Sequence, residues 1–471
     1  MTTTLEPSGG VRHAPDRSAG HGRSGPWLGR ALRGRRLALP EHWPFTALAI
    51  GFPLWWALGF GPFAITVFAI PMAWKLRRMR PIRVPRGFII WLLFIAAVLI
   101  SGMMLGTQAP NTAPTHVSGQ ILGYLVRVAA YVAAGVLLLF IGNLGEKLLP
   151  ERVLLTSLAV LFGVTVLGGF LGLLAPHFGF TSPVEALVPH RLANGYLHTL
   201  IHPASAQVQN VLGSPNPRPM APFEYTNTWG NVIGLLAVWM FAWAGRNRRR
   251  RLIAAIGLTA AAVPIVLSLN RGLWVGLALA VAILGVRLLM SGRVFAVLGM
   301  TAVVAVMGVL FLASPLELVV QERLANPHSN DIRSNLAAAA IHGAQASPIV
   351  GWGTNRQVLG SFQSITIGAT ADCAGRCGNA SVGSTGTFWL VLFSQGFVGI
   401  ALYTGFFLYA LWHYRGDRTA SGVAAQVTLL MSLWFIFVYS STGWPLALAM
   451  ISVAVLWRHR EGQMPAPEVP A

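Results

Sequence analysis

Three arginines stand in short polar segments beside long apolar runs, where their guanidinium groups could bind an anion at a membrane surface. Arg218 precedes one apolar run, and Arg271 lies in the turn 268–272, which leaves almost no loop between two others. Arg333 begins a helix-like segment of a long polar stretch. Because guanidinium groups grip phosphates through paired hydrogen bonds and remain charged, their convergence would suit a diphosphate held just above the lipid. Taken singly, each arginine could instead pair with a local acid or a lipid headgroup.

Further polar residues could complete such a site. Arg127 lies deep inside an apolar run, where it either snorkels to the interface or contacts an anion in a cavity. Glu224 follows Arg218 closely and could either accept a proton or form an ion pair with that arginine. The additional candidate substrate contacts are Asn227, Asn270 and Asn355.

The composition indicates an integral membrane protein. The chain of 471 residues is 54% hydrophobic and only 10% charged, whereas a soluble domain carries about a quarter charged residues. The net charge of +20 does not indicate nucleic-acid binding, because the positive residues concentrate in the N-terminal tail and in short loops between apolar runs. That placement is typical of cytoplasmic loops in membrane proteins. We therefore expect membrane lipid, and no nucleic acid, among the partners.

The apolar runs predict an all-α polytopic fold of about 12 transmembrane helices. Both termini are expected in the cytoplasm, because the basic segments 75–86 and 246–251 then face the same side. A large extracytoplasmic loop would join the ninth and tenth spans. The predicted regions are a disordered basic cytoplasmic tail (1–42), nine spans with an exported loop at 176–227 (43–313), the large extracytoplasmic loop (314–385), three last spans (386–458) and a cytoplasmic tail (459–471).

The acidic residues argue against an ion-coupled carrier. All 14 lie in tails or loops of the predicted topology, and none lies inside a predicted span. Proton- or sodium-coupled carriers normally place a carboxylate within the membrane as the ion relay. A transporter or channel for a small anion or solute, with the arginines as its selectivity site, stays an alternative.

Two other patterns could indicate a metal site or a redox centre. His198 and His202 have the i, i+4 spacing of metal ligands, but no acid or third ligand accompanies them in the sequence. Apolar residues at every fourth position around them favour an interfacial amphipathic helix, so we expect no metal there. Cys373 and Cys377 are the only cysteines, and on an exported loop they predict a local disulfide.

Several segments resemble the family of O-antigen ligases and O-antigen polymerases. The resemblance covers residues 40–460, mostly as topology, and its motifs are short. It implies a multi-span membrane glycosyltransferase that transfers a glycan from a polyprenyl diphosphate to an acceptor, without a metal or other cofactor. It also implies that Arg218 and Arg271 contact the diphosphate and that Arg333 supports the loop or the donor. The resembling segments are 218–231, the turn 268–272, Arg333 with 347–353, and 388–399 with its Gln395-Gly396-Phe397.

One departure from that family concerns the base. The family usually has a His-Asn pair just before the span that follows the large loop, whereas the corresponding segment 382–389 has no histidine. Glu224 is the first candidate substitute and His328 the second. A non-catalytic role in cell-envelope assembly stays a further alternative. The sequence leaves open whether the chain polymerises repeat units or ligates a finished glycan to a glycan or lipid acceptor.

Overall fold

The computed structural model describes residues 39–79, 81–189, 196–210, 215–245, 247–290, 328–358 and 381–461, with a few isolated positions between 292 and 321. Both cysteines, nearly all of the predicted ninth span and most of the two tails lie outside these residues. The disulfide and the disordered tails therefore stay predictions. The described helices belong to one compact unit that begins at Glu41.

The described chain is mostly helical, with two short antiparallel strand pairs. Its first part forms α1 Trp43–Ile50, α2 Phe52–Ala57, α3 Ala64–Arg78, α4 Phe88–Ser101, α5 Val117–Asn143 and α6 Glu151–Leu174. Its middle part forms α7 Pro183–Leu187, α8 Tyr196–Ile201, β1 Ala206–Asn210, β2 Pro215–Pro219, α9 Thr226–Ala244, α10 Arg248–Leu267 and α11 Arg271–Met290. Its last part forms α12 His328–Ala346, β3 Arg356–Gln357, β4 Ser381–Val382, α13 Thr387–His413, α14 Ala420–Phe435 and α15 Trp444–Glu461.

The helices agree with an all-α membrane protein. Within the described residues, five helices (α5, α6, α10, α11 and α13) are long and apolar enough to cross a membrane. Large apolar side chains of α10 and α11, such as Leu252, Ile256 and Val275, are exposed. Exposed apolar surface of this kind marks a membrane-facing or partner-facing side. The number of spans stays a prediction.

The core of the unit is built around α9, which is buried along nearly its whole length. Helices α6, α10, α11, α14 and α15 all pack against it. A helix that is apolar on every side is stable only where other elements surround it, and the two tryptophans Trp229 and Trp239 fill this interior. The first two turns of α9 carry the polar residues Thr226 and Asn231 into the same buried region.

The segment 176–227, predicted as a loop, has secondary structure of its own. It contains α7 and α8, followed by the antiparallel pair β1–β2, in which Gln207 is opposite Arg218. Strand β2 packs on α6 and also contacts α9 and α10. This packing fixes Arg218 against the ends of the central helices.

Two of the segments that carry the family resemblance meet at a break in α13. Gly396 has φ 66° and ψ −168°, a conformation essentially restricted to glycine. A Cβ at this position would collide with the carbonyl oxygen of Pro348. The Phe397 N–H donates to that carbonyl at 2.8 Å, and the Phe393 carbonyl accepts from the Trp352 N–H at 3.1 Å. The break therefore frees backbone groups of α13 that hold the segment following α12.

Candidate functional site

Arg218 on β2 lies against the turn between α10 and α11. Its Nε donates to the backbone carbonyl of Ser268 at 2.7 Å, and its Nη2 donates to the side-chain oxygen of Asn270 at 2.8 Å. Both acceptors are neutral, so these two hydrogen bonds orient the guanidinium group without cancelling its charge. Two residues about fifty positions away in the sequence thus help to orient Arg218.

The turn between α10 and α11 is itself fixed by hydrogen bonds to the start of α9. The Asn270 amide nitrogen donates to the carbonyl of Thr226 at 3.1 Å, and Thr226 Oγ1 donates to the carbonyl of Arg218 at 3.2 Å. Leu269 has φ 57°, which is uncommon for a bulky residue and persists only where the surroundings hold it. The side-chain oxygen of Asn270 accepts from Arg218, and its side-chain nitrogen donates to Thr226. Asn270 therefore helps to position Arg218 in this structure.

Arg333 joins this region from α12. Its Nη1 donates to the backbone carbonyl of Val438 at 3.0 Å. Burial lowers the pKa of Arg333, the phenol of Tyr439 raises it, and the positive charge of Arg271 lowers it. Helix α12 begins at His328, so Arg333 lies within the helix and not at its first residue as the sequence suggested.

Tyr439, between α14 and α15, lies near two of the three arginines. Its phenol lies within electrostatic range of both Arg333 and Arg218, and the charges of Arg333 and Arg271 act on each other. We call Arg218, Arg271 and Arg333 the arginine cluster. That these three residues converge on one ligand stays a prediction. Tyr439 was missed because nothing in its sequence context marks it.

The segment that lacks the family histidine lies against the same α14–α15 loop. The Thr387 N–H donates to the carbonyl of Tyr439 at 2.9 Å, and Thr387 Oγ1 accepts from the Ser441 N–H at 2.6 Å. Thr385 is buried, and its hydroxyl has no hydrogen-bond partner within the described part of the chain. In the segment that lacks the family histidine, the hydroxyl groups of Thr385 and Thr387 therefore lie beside the loop that contains Tyr439.

Glu224 lies between β2 and α9. Its carboxylate accepts a hydrogen bond from Thr228 Oγ1 at 3.0 Å, so its described partner is this threonine and not Arg218. Burial raises the pKa of the Glu224 carboxyl above its usual range, although hydrogen bonds from a backbone N–H and from Thr228 act in the opposite direction. Glu224 and His202 also line a crevice of about 10 Å³, roughly the space that one water requires.

Arg127 and Asn355 form a separate contact. The guanidinium group of Arg127 on α5 donates to Thr354 Oγ1 at 2.9 Å and to the Asn355 side-chain oxygen at 3.3 Å. These hydrogen bonds tie α5 to the segment that follows α12. Asn355, a candidate substrate contact, is thus one of the acceptors of Arg127 in this structure.

Two predicted site residues, His328 and Asn227, and one buried arginine lie elsewhere in the described chain. His328 is the first residue of α12, and its side chain lies outside the described part of the structure. Asn227 lies in the first turn of α9 and is half-buried. Arg356 was missed by the sequence reasoning: it is almost fully buried, and its Nη2 donates to the carbonyls of Leu105 and Trp352 at 3.1 Å each.

The prediction that no third ligand accompanies the paired histidines is wrong. Glu185, on α7, lies 3.3 Å from His198 Nε2 and 2.9 Å from His202 Nδ1 through its two carboxylate oxygens. The sequence could not indicate this neighbour, because α7 and α8 are brought together only by the folding of the segment between α6 and β1.

The described part of the chain is mostly helical, and five of its helices are long and apolar enough to cross a membrane. Arg218 and Arg333 lie near the ends of these central helices. No protein-family model matches this chain, and no curated protein matches it.

Proposed function

We propose that this protein transfers or polymerises a glycan from a polyprenyl-diphosphate-linked donor at the outer face of the cytoplasmic membrane. The observation that carries the proposal is the arginine cluster. The charges of Arg218 on β2 and Arg333 on α12 act on Tyr439, and the charge of Arg271 on α11 acts on Arg333. Like charges repel one another more strongly where burial reduces solvent screening. A bound diphosphate would offset this repulsion and accept hydrogen bonds from more than one arginine at once.

The proposed topology has about 12 spans, both termini in the cytoplasm and the segments 176–227 and 314–385 outside. In its support, α10 starts at the basic run 248–251 and ends at the turn that contacts Arg218. Its 20 residues correspond to about 30 Å of helix, the thickness of a hydrocarbon core. The basic end and the arginine cluster would then lie at opposite membrane surfaces.

In the proposed reaction, a hydroxyl of the acceptor attacks the anomeric carbon of the donor glycan. The new carbon–oxygen bond forms as the bond to the phosphate oxygen breaks, and the polyprenyl diphosphate leaves with the electron pair. Arg218 and Arg271 stabilise the charge that develops on the leaving group, and Arg333 holds the donor or the loop around it. The arginines act as fixed cations, so this step uses no metal ion.

The proton of the acceptor hydroxyl passes to Glu224 or to His328. The environment of Glu224 supports its assignment, because a carboxyl whose pKa is raised by burial is a stronger base than an ordinary surface carboxylate. Glu224 also lies beside a crevice and on the segment that leads from Arg218 to α9. His328 is kept as the second candidate from its position on the same helix as Arg333.

A gene deletion tests the proposal. Loss of the protein should make lipid-linked glycan accumulate while the corresponding surface glycan disappears, and the wild-type gene should restore both. Complementation with Arg218→Lys, which keeps the charge but loses the planar fork, should restore little surface glycan. Unchanged lipid-linked and surface glycans in the deletion strain would contradict the proposed function.

A further inference from the structure

A second constellation of polar side chains lies between α7 and α8, and the arginine cluster does not use it. Glu185 Oε1 lies 3.3 Å from His198 Nε2, and Glu185 Oε2 lies 2.9 Å from His202 Nδ1. One ligand atom from each residue can be chosen so that all three lie within 4.8 Å of one another. The imidazole rings are stacked, with their centroids 4.7 Å apart. We call these three residues the His-Glu cluster.

The carboxylate of this cluster is held in place by its own helix start. Ser182 caps α7: its Oγ accepts from the Glu185 N–H at 3.0 Å, while its N–H donates to Glu185 Oε2 at 3.2 Å. Ser182 Oγ also donates to the carbonyl of Ile201 at 2.6 Å, which joins the start of α7 to the end of α8. Such partners of a ligating carboxylate orient it before any ion arrives.

The same region has no space for a larger residue at position 59. Gly59 has φ 89°, and a Cβ there would collide with Ser182 Oγ. The Val184 N–H donates to the carbonyl of Leu58 at 3.1 Å. The segment between α2 and α3 therefore packs against the start of α7 and helps to hold Glu185 in position.

We propose that Glu185, His198 and His202 bind a divalent transition-metal ion of the Zn²⁺ type. Two imidazole nitrogens and one carboxylate oxygen form a ligand set that this class of ion prefers, whereas Mg²⁺ and Ca²⁺ prefer oxygen ligands alone. Zinc bonds of about 2.0–2.2 Å in tetrahedral geometry separate ligand atoms by roughly 3.3–3.6 Å. The two separations of 2.9 and 3.3 Å reach this range with small rotations of the rings.

The ion would clamp α7 to α8 in the segment 176–227, and a fourth position would take water or another group. This role is structural: none of the three residues belongs to the arginine cluster, and only His202 lines the crevice beside Glu224. Binding to the folded state alone stabilises a protein in proportion to the logarithm of free-ion concentration over the dissociation constant. Zinc should therefore raise the melting temperature of the wild-type protein and leave that of a ligand variant unchanged.

The test uses the full-length protein in detergent, purified through a tag that contains no histidine. After removal of bound ions with a chelator and removal of the chelator itself, Zn²⁺ is titrated by calorimetry, with Mg²⁺ as the comparison ion. We expect one Zn²⁺ per chain and no comparable binding of Mg²⁺. Glu185→Gln, His198→Ala and His202→Ala should each weaken binding by about 100-fold or more, since even indirect partners of a metal site contribute about 10- to 100-fold.

His177→Ala is the matched control, because His177 is exposed in the same segment and is outside the His-Glu cluster. It should bind Zn²⁺ as the wild type does. Absence of zinc binding by the wild-type protein overturns the proposal, and this result does not depend on any variant folding. Zinc binding that survives all three ligand substitutions, or that His177→Ala abolishes equally, overturns it as well. Glycan transfer is measured separately, so a failed metal titration leaves the proposed function unaffected.

Discussion

At the scale of single residues, the arginine cluster brings together positive charges that repel one another, and a bound anion would reduce this repulsion. Arg218 is oriented by the neutral acceptors Ser268 and Asn270, and Arg333 by the carbonyl of Val438. The charges of Arg333 and Arg271 act on each other, and burial reduces the hydration of Arg333. Guanidinium groups remain protonated under such conditions, and in the proposed function they would attract the phosphate oxygens of the donor.

Arg271→Ala is expected to abolish most transfer while the protein stays folded. Removing one partner of a buried charge-assisted contact costs about 2–5 kcal/mol, and each 1.4 kcal/mol is about tenfold in rate. Transfer by the purified protein should therefore fall by about 30-fold or more, and Arg271→Lys should recover little of it. Arg250→Ala, at the basic start of α10, is the control and should transfer normally. Near-normal transfer by Arg271→Ala would remove this residue from the diphosphate site.

Glu224→Gln is expected to lose transfer by roughly 10²- to 10⁴-fold, the usual contribution of a general base. The carboxyl pKa is raised by burial, so transfer by the wild type should rise with pH over a range above that of ordinary carboxyl groups. Donor binding should persist in the variant, because the arginine cluster is intact. A mild effect of Glu224→Gln together with a severe effect of His328→Ala would move the base to α12.

The melting temperature of Glu224→Gln shows whether a loss of transfer comes from the missing base or from a destabilised fold. A carboxyl whose folded-state pKa is raised disfavours the folded protein once it ionises. The wild type should therefore lose stability as pH rises from the unfolded pKa through the raised folded pKa. Glu224→Gln lacks this ionisation, so it should melt above the wild type at neutral pH and match it in acid. A lower melting temperature at neutral pH would indicate that the carboxylate has a structural role instead.

At the scale of elements, the break in α13 determines where α12 lies. The carbonyl of Pro348 and the N–H of Trp352 bond backbone groups of α13 on either side of Gly396. The break therefore replaces helical hydrogen bonds with bonds to the segment that follows α12. Because α12 packs along α13 and carries Arg333, the geometry of the arginine cluster depends on a glycine that touches none of its members.

Gly396→Ala is expected to destabilise the protein, because alanine is strained in this backbone conformation and its Cβ collides with Pro348. Strained backbone alone costs of order 1–3 kcal/mol, and thermal melting in detergent should show the loss. Gly405→Ala is the matched control on the same helix, since a Cβ there meets nothing within 4 Å. That control should be neutral or stabilising by about 1 kcal/mol at most. Equal melting of the two variants would remove the role assigned to the break.

At the scale of the whole molecule, the proposed orientation separates the basic helix ends from the arginine cluster. The α10 helix connects the two along about 30 Å. In this orientation the polyprenyl chain of a donor lies in the membrane while its diphosphate reaches the cluster at the outer surface. In the proposed topology the acceptor would approach from the same side.

Labelling of single cysteines tests this orientation. In a background in which Cys373 and Cys377 are serine, Leu187→Cys places one thiol at an exposed position, and Arg250→Cys places one at a half-buried position at the basic start of α10. A membrane-impermeant maleimide should label Leu187→Cys in intact cells and Arg250→Cys only after the inner membrane is opened. The reverse pattern would invert the topology, and labelling of both in intact cells would contradict a single intervening span.

The sequence by itself determined the class of this protein. Apolar runs of about 20 residues can hide their backbone polar groups only as helices, so composition and hydropathy indicated the all-α membrane class. Within the described residues, five helices are long and apolar enough to cross a membrane, which agrees with that class, while the number of spans stays a prediction. Guanidinium chemistry likewise singled out Arg218, Arg271 and Arg333 before their contacts were known.

Only the tertiary structure decided which residues meet. The charges of Arg218 and Arg333, from distant parts of the chain, act on Tyr439. Arg127 donates a hydrogen bond to Asn355. Glu185 on α7 lies beside His198 and His202. These neighbours depend on how α7, α12 and the α14–α15 loop pack, and local sequence patterns carry no signal of that packing. Side-chain chemistry can therefore be read from the chain, whereas the partner of each side chain follows from contacts between elements that are remote in sequence.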